Sequence, residues 1–179
     1  MLFKILFIVF LSFLPSHSFS ISPTVNATDP KAVTWLLGNS AIPAQLAEAG
    51  EDIYGPLYVA RARVDGEWIP GKGFYNGGTF YAAVAFMGNE IETSDCQALL
   101  RGGVSWVPLQ RQEQIPSNAV LAGIDPRTRE KTYICRGYVD EAGQAWLTVG
   151  KVLETRLVCR IPFNGETDTY SFEILVETA

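Results

Sequence analysis

Residues 49–72, AGEDIYGPLYVARARVDGEWIPGK, decide the fold. The stretch opens on Ala49-Gly50 and the acidic pair Glu51-Asp52, and turns at Gly55-Pro56. It runs as a strand through Leu57–Val64, turns again at Asp65-Gly66 and closes on Pro70-Gly71-Lys72. Residues 122–151, AGIDPRTREKTYICRGYVDEAGQAWLTVGK, repeat the plan. Ala122-Gly123, Asp125, Tyr133, Arg136, Val139, Trp146 and Gly150-Lys151 stand against Ala49-Gly50, Asp52, Tyr58, Arg61, Val64, Trp68 and Gly71-Lys72. The second copy carries a few extra residues in each of its two turns. Such a repeat fixes the architecture before any single element does.

The match extends outward. Trp35 followed by Ile42-Pro43 is answered by Trp106 followed by Ile115-Pro116. Gly88-Asn89-Glu90 is answered by Asn164-Gly165-Glu166, and each copy closes on a last strand, Asp95–Leu100 and Tyr170–Val176. The chain therefore divides into a first repeat, 32–100, and a second, 101–179, with the tight Leu100-Arg101-Gly102-Gly103 connection inside one domain.

Hydrophobic periodicity through both copies is two rather than 3.6. Tyr58, Ala60, Ala62 and Val64 share one face while Arg61 and Arg63 share the other. Thr79–Met87 is apolar on both faces, as a strand covered on both sides must be. Turn residues punctuate the chain at the spacing of an all-β fold. Four or five strands per copy cannot bury their own apolar face, so the two copies are expected to pack about a pseudo-twofold axis. Arg61 and Arg136 in mid-strand read as structural forks to a carboxylate or carbonyls, and Trp35 and Trp106 as core.

Residues 1–20 read as a secretory signal peptide: Lys4 supplies the positive flank, Ile5–Leu14 is apolar, and Pro15 precedes the small residues of Ser18-Phe19-Ser20. The apolar run is too short to span a bilayer. The expected product is secreted and extracellular, opening on an extended arm, 21–31, with an N-glycosylation acceptor at Asn26-Ala27-Thr28. Cleavage would remove Lys4 and the single histidine, His17, leaving 13 basic against 19 acidic residues. Ser-His-Asp and Cys-His catalysis are then excluded, as is almost every catalytic zinc arrangement. The acidic balance argues against nucleic acid and anionic lipid surfaces as partners.

Oxidising export favours a disulfide among Cys96, Cys135 and Cys159. Cys135 stands where copy one has Ala60, and Cys159 at or next to the position of Ala82. Two small residues in one copy against two cysteines in the other suggest that Cys135 and Cys159 face each other on neighbouring strands. Three buried free thiols are the alternative. Metal binding is not expected, because the spacing is wide and no histidine helps.

The pattern Ala-Gly-x-Asp, Tyr-Val-x-Arg-Ala, Pro-Gly-Lys and Gly-x-Glu resembles the DM-nine repeat, a tandem module of insect, mollusc and flatworm proteins, natterin-like toxins and mannose-binding oyster lectins. The resemblance covers Trp35 to Val176 and implies an all-β domain with no enzymatic activity and no cofactor. In the lectins of this family the aspartate of Ala-Gly-x-Asp and the lysine of Pro-Gly-Lys hold mannose. The matching residues are Asp52 and Lys72, and Asp125 and Lys151. Glu51 rivals Asp52, because the first turn of copy one is one residue shorter than usual. Lys151 is expected to be aimed differently from Lys72, because Val149 stands where Pro70 does.

The chemistry of the residues agrees with a sugar ligand. A carboxylate accepts hydrogen bonds from vicinal hydroxyls, an ammonium donates to their lone pairs, and an aromatic face covers the C–H side of the ring. Trp68 and Trp146, or Tyr54, are the candidate walls. The competing reading makes each Asp and Lys an ion pair that pins two loops. The expected partners are mannose-type glycans in innate recognition, and a homodimer is compatible with this. The rival is a secreted interaction or structural module without sugar binding. A glycosidase needs a carboxylate pair that nothing singles out. Membrane insertion is not expected, since natterin-like toxins carry a second, membrane-inserting domain for which this chain has no room.

Overall fold

The computed structural model describes residues 33–110 and 113–178. The expected signal peptide, the expected arm and the Asn26 acceptor sequence lie outside the described residues. Fourteen strands form one continuous antiparallel system. The first copy supplies β1 (Trp35–Leu37), β2 (Glu48–Asp52), β3 (Gly55–Val64), β4 (Glu67–Asn76), β5 (Thr79–Phe86), β6 (Asn89–Thr93) and β7 (Cys96–Leu99). The second supplies β8 (Val104–Leu109), β9 (Leu121–Ile124), β10 (Lys131–Glu141), β11 (Gln144–Leu153), β12 (Arg156–Pro162), β13 (Glu166–Thr169) and β14 (Phe172–Glu177). Each copy therefore has seven strands rather than four or five. The additional ones are short strands, such as β1 and β2, whose length is set by their partners more than by their own composition. Among the described residues no helix is long and apolar enough to cross a membrane.

The hairpins follow from their turn residues. Asp65-Gly66, Gly77-Gly78, Met87-Gly88 and Ala142-Gly143 each place both residues at positive φ, the geometry that two-residue turns need to match the right-handed twist of their strands. The copies are equivalent strand for strand: β1 and β8 pair with the last strands β7 and β14, which in turn pair with β3 and β10.

What joins the copies is a reciprocal exchange. β2 runs against β11 of the second copy, with Leu147 opposite Glu51. A Cβ at Gly50 would overlap the Leu147 carbonyl oxygen, and a Cβ at Gly123 in β9 would overlap the Trp68 carbonyl oxygen of β4. The glycine of each Ala-Gly step is thus required by backbone approaching backbone. Around this contact lies a core drawn from both copies, including Leu57, Val59 and Leu99 with Ile134, Val149 and Leu175. Arg61 crosses the same boundary. It donates from Nη1 to the Ala122 carbonyl at 2.8 Å and from Nε and Nη2 to Gln97, with Trp35 4.1 Å beneath its guanidinium. Arg136 pairs with Glu173 at 2.6 Å and lies over Trp106. Both arginines are structural forks.

Two further cores are private to the copies. In the second, Cys135 and Cys159 form a disulfide among Val139, Ile161 and Ile174. Register confirms the exchange with Ala60 and Ala82, since Cys135 pairs with Gly150 as Ala60 does with Gly71. The cysteines are not on neighbouring strands, however: β10 and β12 both pair with β11, and the bond spans it. In copy one the corresponding space holds an aromatic cluster, with Tyr75 and Phe80 5.1 Å apart and Tyr58 beside both. Cys96 is free and buried, and burial together with the neighbouring Asp95 pushes its thiol up to about 11.

Two outcomes are expected. Gly123→Ala should destabilise the protein by about 2 kcal/mol, an overpacking cost, read as a shift in urea midpoint; an unchanged midpoint would remove the close approach from the interface. Non-reducing peptide mapping should return Cys135 joined to Cys159, with Cys96 unreactive towards a thiol reagent at neutral pH until the protein is unfolded. A bond from Cys96 to either partner would contradict this register.

Candidate functional site

The β2–β3 turn of copy one and the middle of β4 open onto a common cleft of about 700 Å³, with Asp52, Lys72 and Glu90 among its lining. It straddles the copies, because Phe163, Asn164 and Glu141 of the second copy close its far side. Lys72 reaches it from a strand position beside Gly71, and is buried, at 8% exposure. Its Nζ pairs with Glu90 Oε1 at 2.9 Å and lies 5.8 Å from the Phe163 ring centre. The other oxygen of Glu90 accepts the Asn164 backbone N–H at 3.0 Å. Asp52 faces the same cleft, its Oδ1 accepting the Tyr54 N–H at 2.8 Å. Asp52 and Lys72 therefore share a cleft, while the ion pair of Lys72 is with Glu90.

Copy two builds the mirror arrangement with other partners. Its cleft, about 300 Å³, is lined by Asp125, Lys151, Arg160 and Glu166, with Phe86 and Met87 of the first copy. Lys151 Nζ lies 5.5 Å from the Phe86 ring centre, and Glu166 Oε2 accepts the Gly88 N–H at 3.0 Å. Here Lys151 pairs with Asp125 at 3.2 Å, the two side chains only 2% and 7% exposed. Asp125 Oδ1 also accepts the N–H groups of Arg127 and Thr128. Burial alone would push the Asp125 carboxyl up. The Thr128 N–H, the charge and hydrogen bond of Lys151 and the Arg127 N–H outweigh that, and hold it below the usual aspartate value.

Three expected site residues lie elsewhere. Glu51 is exposed, sits in register with Leu147 and lines neither cleft. Trp68 lies beside the guanidinium groups of Arg61 and Arg63, at 5.0 and 5.6 Å. Trp146 packs on the second core. The tryptophans are not equivalent positions: counting from the Gly71/Gly150 register, Trp68 corresponds to Leu147, and Trp146 to Glu67. The β10–β11 hairpin is two residues longer on each strand than β3–β4. Aligning tryptophan with tryptophan absorbs part of that length as a one-residue slip, which reverses the face. Lys151 does meet a different acid from Lys72, Asp125 rather than Glu90, but Val149 does not shift where it leaves the strand. Gly71 and Gly150 meet the same carbonyl of the next strand, Ala83 or Arg160, so both lysines leave the sheet at the same point.

The aromatic wall of the larger cleft is instead Tyr54, Phe74, Tyr75 and Phe163. Tyr54 is 93% exposed at its mouth, and Phe74 stacks on Tyr81 with centroids 6.0 Å apart. Tyr54 was legible in the sequence. Phe74 and Tyr75 stand past Gly73, beyond the Pro-Gly-Lys landmark, and Phe163 comes from the other copy, so neither pattern nor spacing marked them. Glu90 carried a signal, the Gly-x-Glu recurrence, that reads as a repeat landmark until its contact with Lys72 is seen.

A comparison with protein-family models matches the DM9 repeat over residues 52–170. The chain belongs to the DM9-repeat family. A comparison with curated proteins finds no match. Among solved structures the chain is similar to the nematode sperm cell motility protein MFP2B, at 16% identity and a TM-score of 0.57. The alignment covers 84% of this chain and 48% of that one, so the chain spans about half the length of that protein. At this identity the likeness concerns the fold alone.

Chemically, the first DM9 cleft presents Asp52 and the Lys72–Glu90 pair next to aromatic faces, while the Asp125–Lys151 pair of the second is more deeply buried. The depressed Asp125 carboxyl contributes stability that is present above its unfolded value and lost as pH falls through its folded one. Asp125→Asn strands the buried Lys151 charge and should cost about 3 kcal/mol at neutral pH. The gap to wild type in denaturant midpoint should close as pH drops from about 5 to about 2; a pH-independent gap would mean that the pair contributes no such linkage.

Proposed function

We propose that this DM9 protein is a secreted, non-enzymatic lectin for mannose-type glycans, acting in recognition of cell or microbial surfaces. The observation that carries the reading is the convergence of Asp52, Lys72 and Glu90 with Tyr54, Phe74 and Tyr75 on one cleft. Vicinal sugar hydroxyls can donate to the carboxylates and accept from the ammonium, while a ring's C–H face lies against an aromatic side chain. With the second lysine buried in its own ion pair, one cleft per chain is available. Avidity on a glycan surface then requires a second chain, so a homodimer belongs to the proposal.

The rival module without sugar binding draws on the same second cleft, where the acid–base pair serves packing alone. A glycan array with the mature protein, followed by calorimetry with free mannose, separates the two. A charge-assisted hydrogen bond contributes about 1.5–3 kcal/mol, so Lys72→Ala should weaken mannose binding by roughly tenfold or more. Lys151→Ala should leave mannose affinity near wild type while lowering the melting temperature. A blank array with no mannose heat would favour the interaction module. Unchanged affinity in folded Lys72→Ala would remove that lysine from the site.

A further inference from the structure

The two clefts are built on one frame and differ in which acid the lysine holds. In both, the glutamate that closes the turn, Gly88-Asn89-Glu90 or Asn164-Gly165-Glu166, accepts a backbone N–H from the other copy through Oε2: Asn164 to Glu90, Gly88 to Glu166, each at 3.0 Å. In copy one the remaining oxygen, Oε1, pairs with Lys72 at 2.9 Å. In copy two the corresponding Oε1 is held by Arg160 Nη1 at 3.0 Å, and Arg160 Nε reaches Asp168 at 3.5 Å. Lys151 then pairs with Asp125 at 3.2 Å.

Register identifies the sequence difference behind this. Opposite Lys151 on the next strand stands Arg160; opposite Lys72 stands Ala83. An alanine leaves the glutamate to the lysine. An arginine, with its planar fork and weaker hydration, takes the carboxylate.

We propose that Arg160 closes the second cleft by capturing Glu166, so that Lys151 is driven onto Asp125 and the pair withdraws from solvent. Arg160 is thus a positioning residue that decides how many ligand sites the chain has. A buried lysine left without Glu166 needs another anion, because an unpaired ammonium in that setting is strongly disfavoured. Asp125 is the one within reach, already oriented by the Arg127 and Thr128 N–H groups. A second difference beside the lysine's acid is the turn after the aspartate, where β9 and β10 are joined by residues 125–130 and β2 and β3 by Ile53-Tyr54 alone. The experiment must tell the arginine from the turn.

Competitive amine labelling with peptide mapping reads Lys72 and Lys151 separately in the folded full chain, without any sugar. Arg160→Met keeps the apolar stem of the side chain and so guards the fold. Lys151 labelling is expected to rise by about tenfold in Arg160→Met, towards the rate of Lys72. Adding Glu166→Gln should return it to the wild-type rate, because Lys151 then has only Asp125 again. If Lys151 stays at the wild-type rate in folded Arg160→Met, the turn closes the cleft and the proposal falls. If the double variant labels as fast as the single one, the arginine merely filled space, and the proposal falls again.

The claim about sites rests on the sugar reading, and mannose calorimetry tests it apart from the labelling. One site in wild type and two in Arg160→Met are expected. A freed Lys151 with stoichiometry still at one would overturn Arg160 as what decides the number of sites. The expected labelling pattern with no mannose heat in any variant would overturn the sugar reading and leave the ion-pair exchange standing.

Discussion

Everything in this protein hangs on two places where backbone meets backbone across the repeat boundary. Gly50 lies against the Leu147 carbonyl and Gly123 against the Trp68 carbonyl. At that separation no side chain fits, and the strand of each copy is carried into the hairpin of the other. The shared core around Val59, Leu99, Ile134 and Leu175 is sealed by the same approach. A single copy would leave that apolar surface in water, at a cost of about 25 cal/mol per Å². The two repeats therefore form one cooperative unit, and each cleft is completed by the other copy's phenylalanine and turn.

Within this common frame the copies have settled equivalent problems with different materials. The space between β10 and β12 is spanned by a disulfide, while in copy one it is filled by Tyr58, Tyr75 and Phe80. The lysine of the Gly-Lys step pairs with Glu90 in one copy and with Asp125 in the other. Burying a charge is tolerated only when it is paired and hydrogen-bonded. Asp125 meets that condition with Lys151 and two backbone N–H groups, which makes the second pair part of the core. Lys72 meets it at the rim of a larger cleft, where its glutamate partner and Asp52 remain beside open space. The matching lysines thus form a deeply buried lock in one copy and, in the function proposed above, part of a polar ligand site in the other.

The acidic surface and the aromatic cleft act at different ranges. A negative net charge shapes the encounter with charged partners over about a Debye length, near 8 Å at physiological salt. For the neutral sugar proposed as ligand, selection would depend on contacts at the cleft, where water would be displaced from Phe74 and Tyr75 and each hydroxyl must find a partner. A neutral ligand avoids the repulsion that Asp52, Glu90, Glu92 and Glu141 would impose on an anion.

The sequence by itself determined the all-β class, the duplication, the Ala-Gly and Gly-Lys landmarks, and the exchange of Ala60 and Ala82 for Cys135 and Cys159. These are legible because period-two alternation, turn residues and repeat spacing are local properties of the chain. It also placed Asp52 and Lys72 at positions matching Asp125 and Lys151, although the lysines read there as turn residues and both stand inside strands, β4 and β11. Only the tertiary structure decided what those residues meet. Glu90 and Glu166, Phe163 and Phe86, and Arg160 enter the clefts from other strands or from the other copy, and no spacing along the chain encodes that reach. The tryptophans show the same limit in reverse. Trp68 and Trp146 look equivalent along the sequence, yet Trp68 stands three residues before Gly71 and Trp146 four before Gly150, and that one-residue offset turns them to opposite faces. A strand alternates sides at every residue, so a small error in alignment that leaves the fold unchanged is enough to move a side chain out of the site.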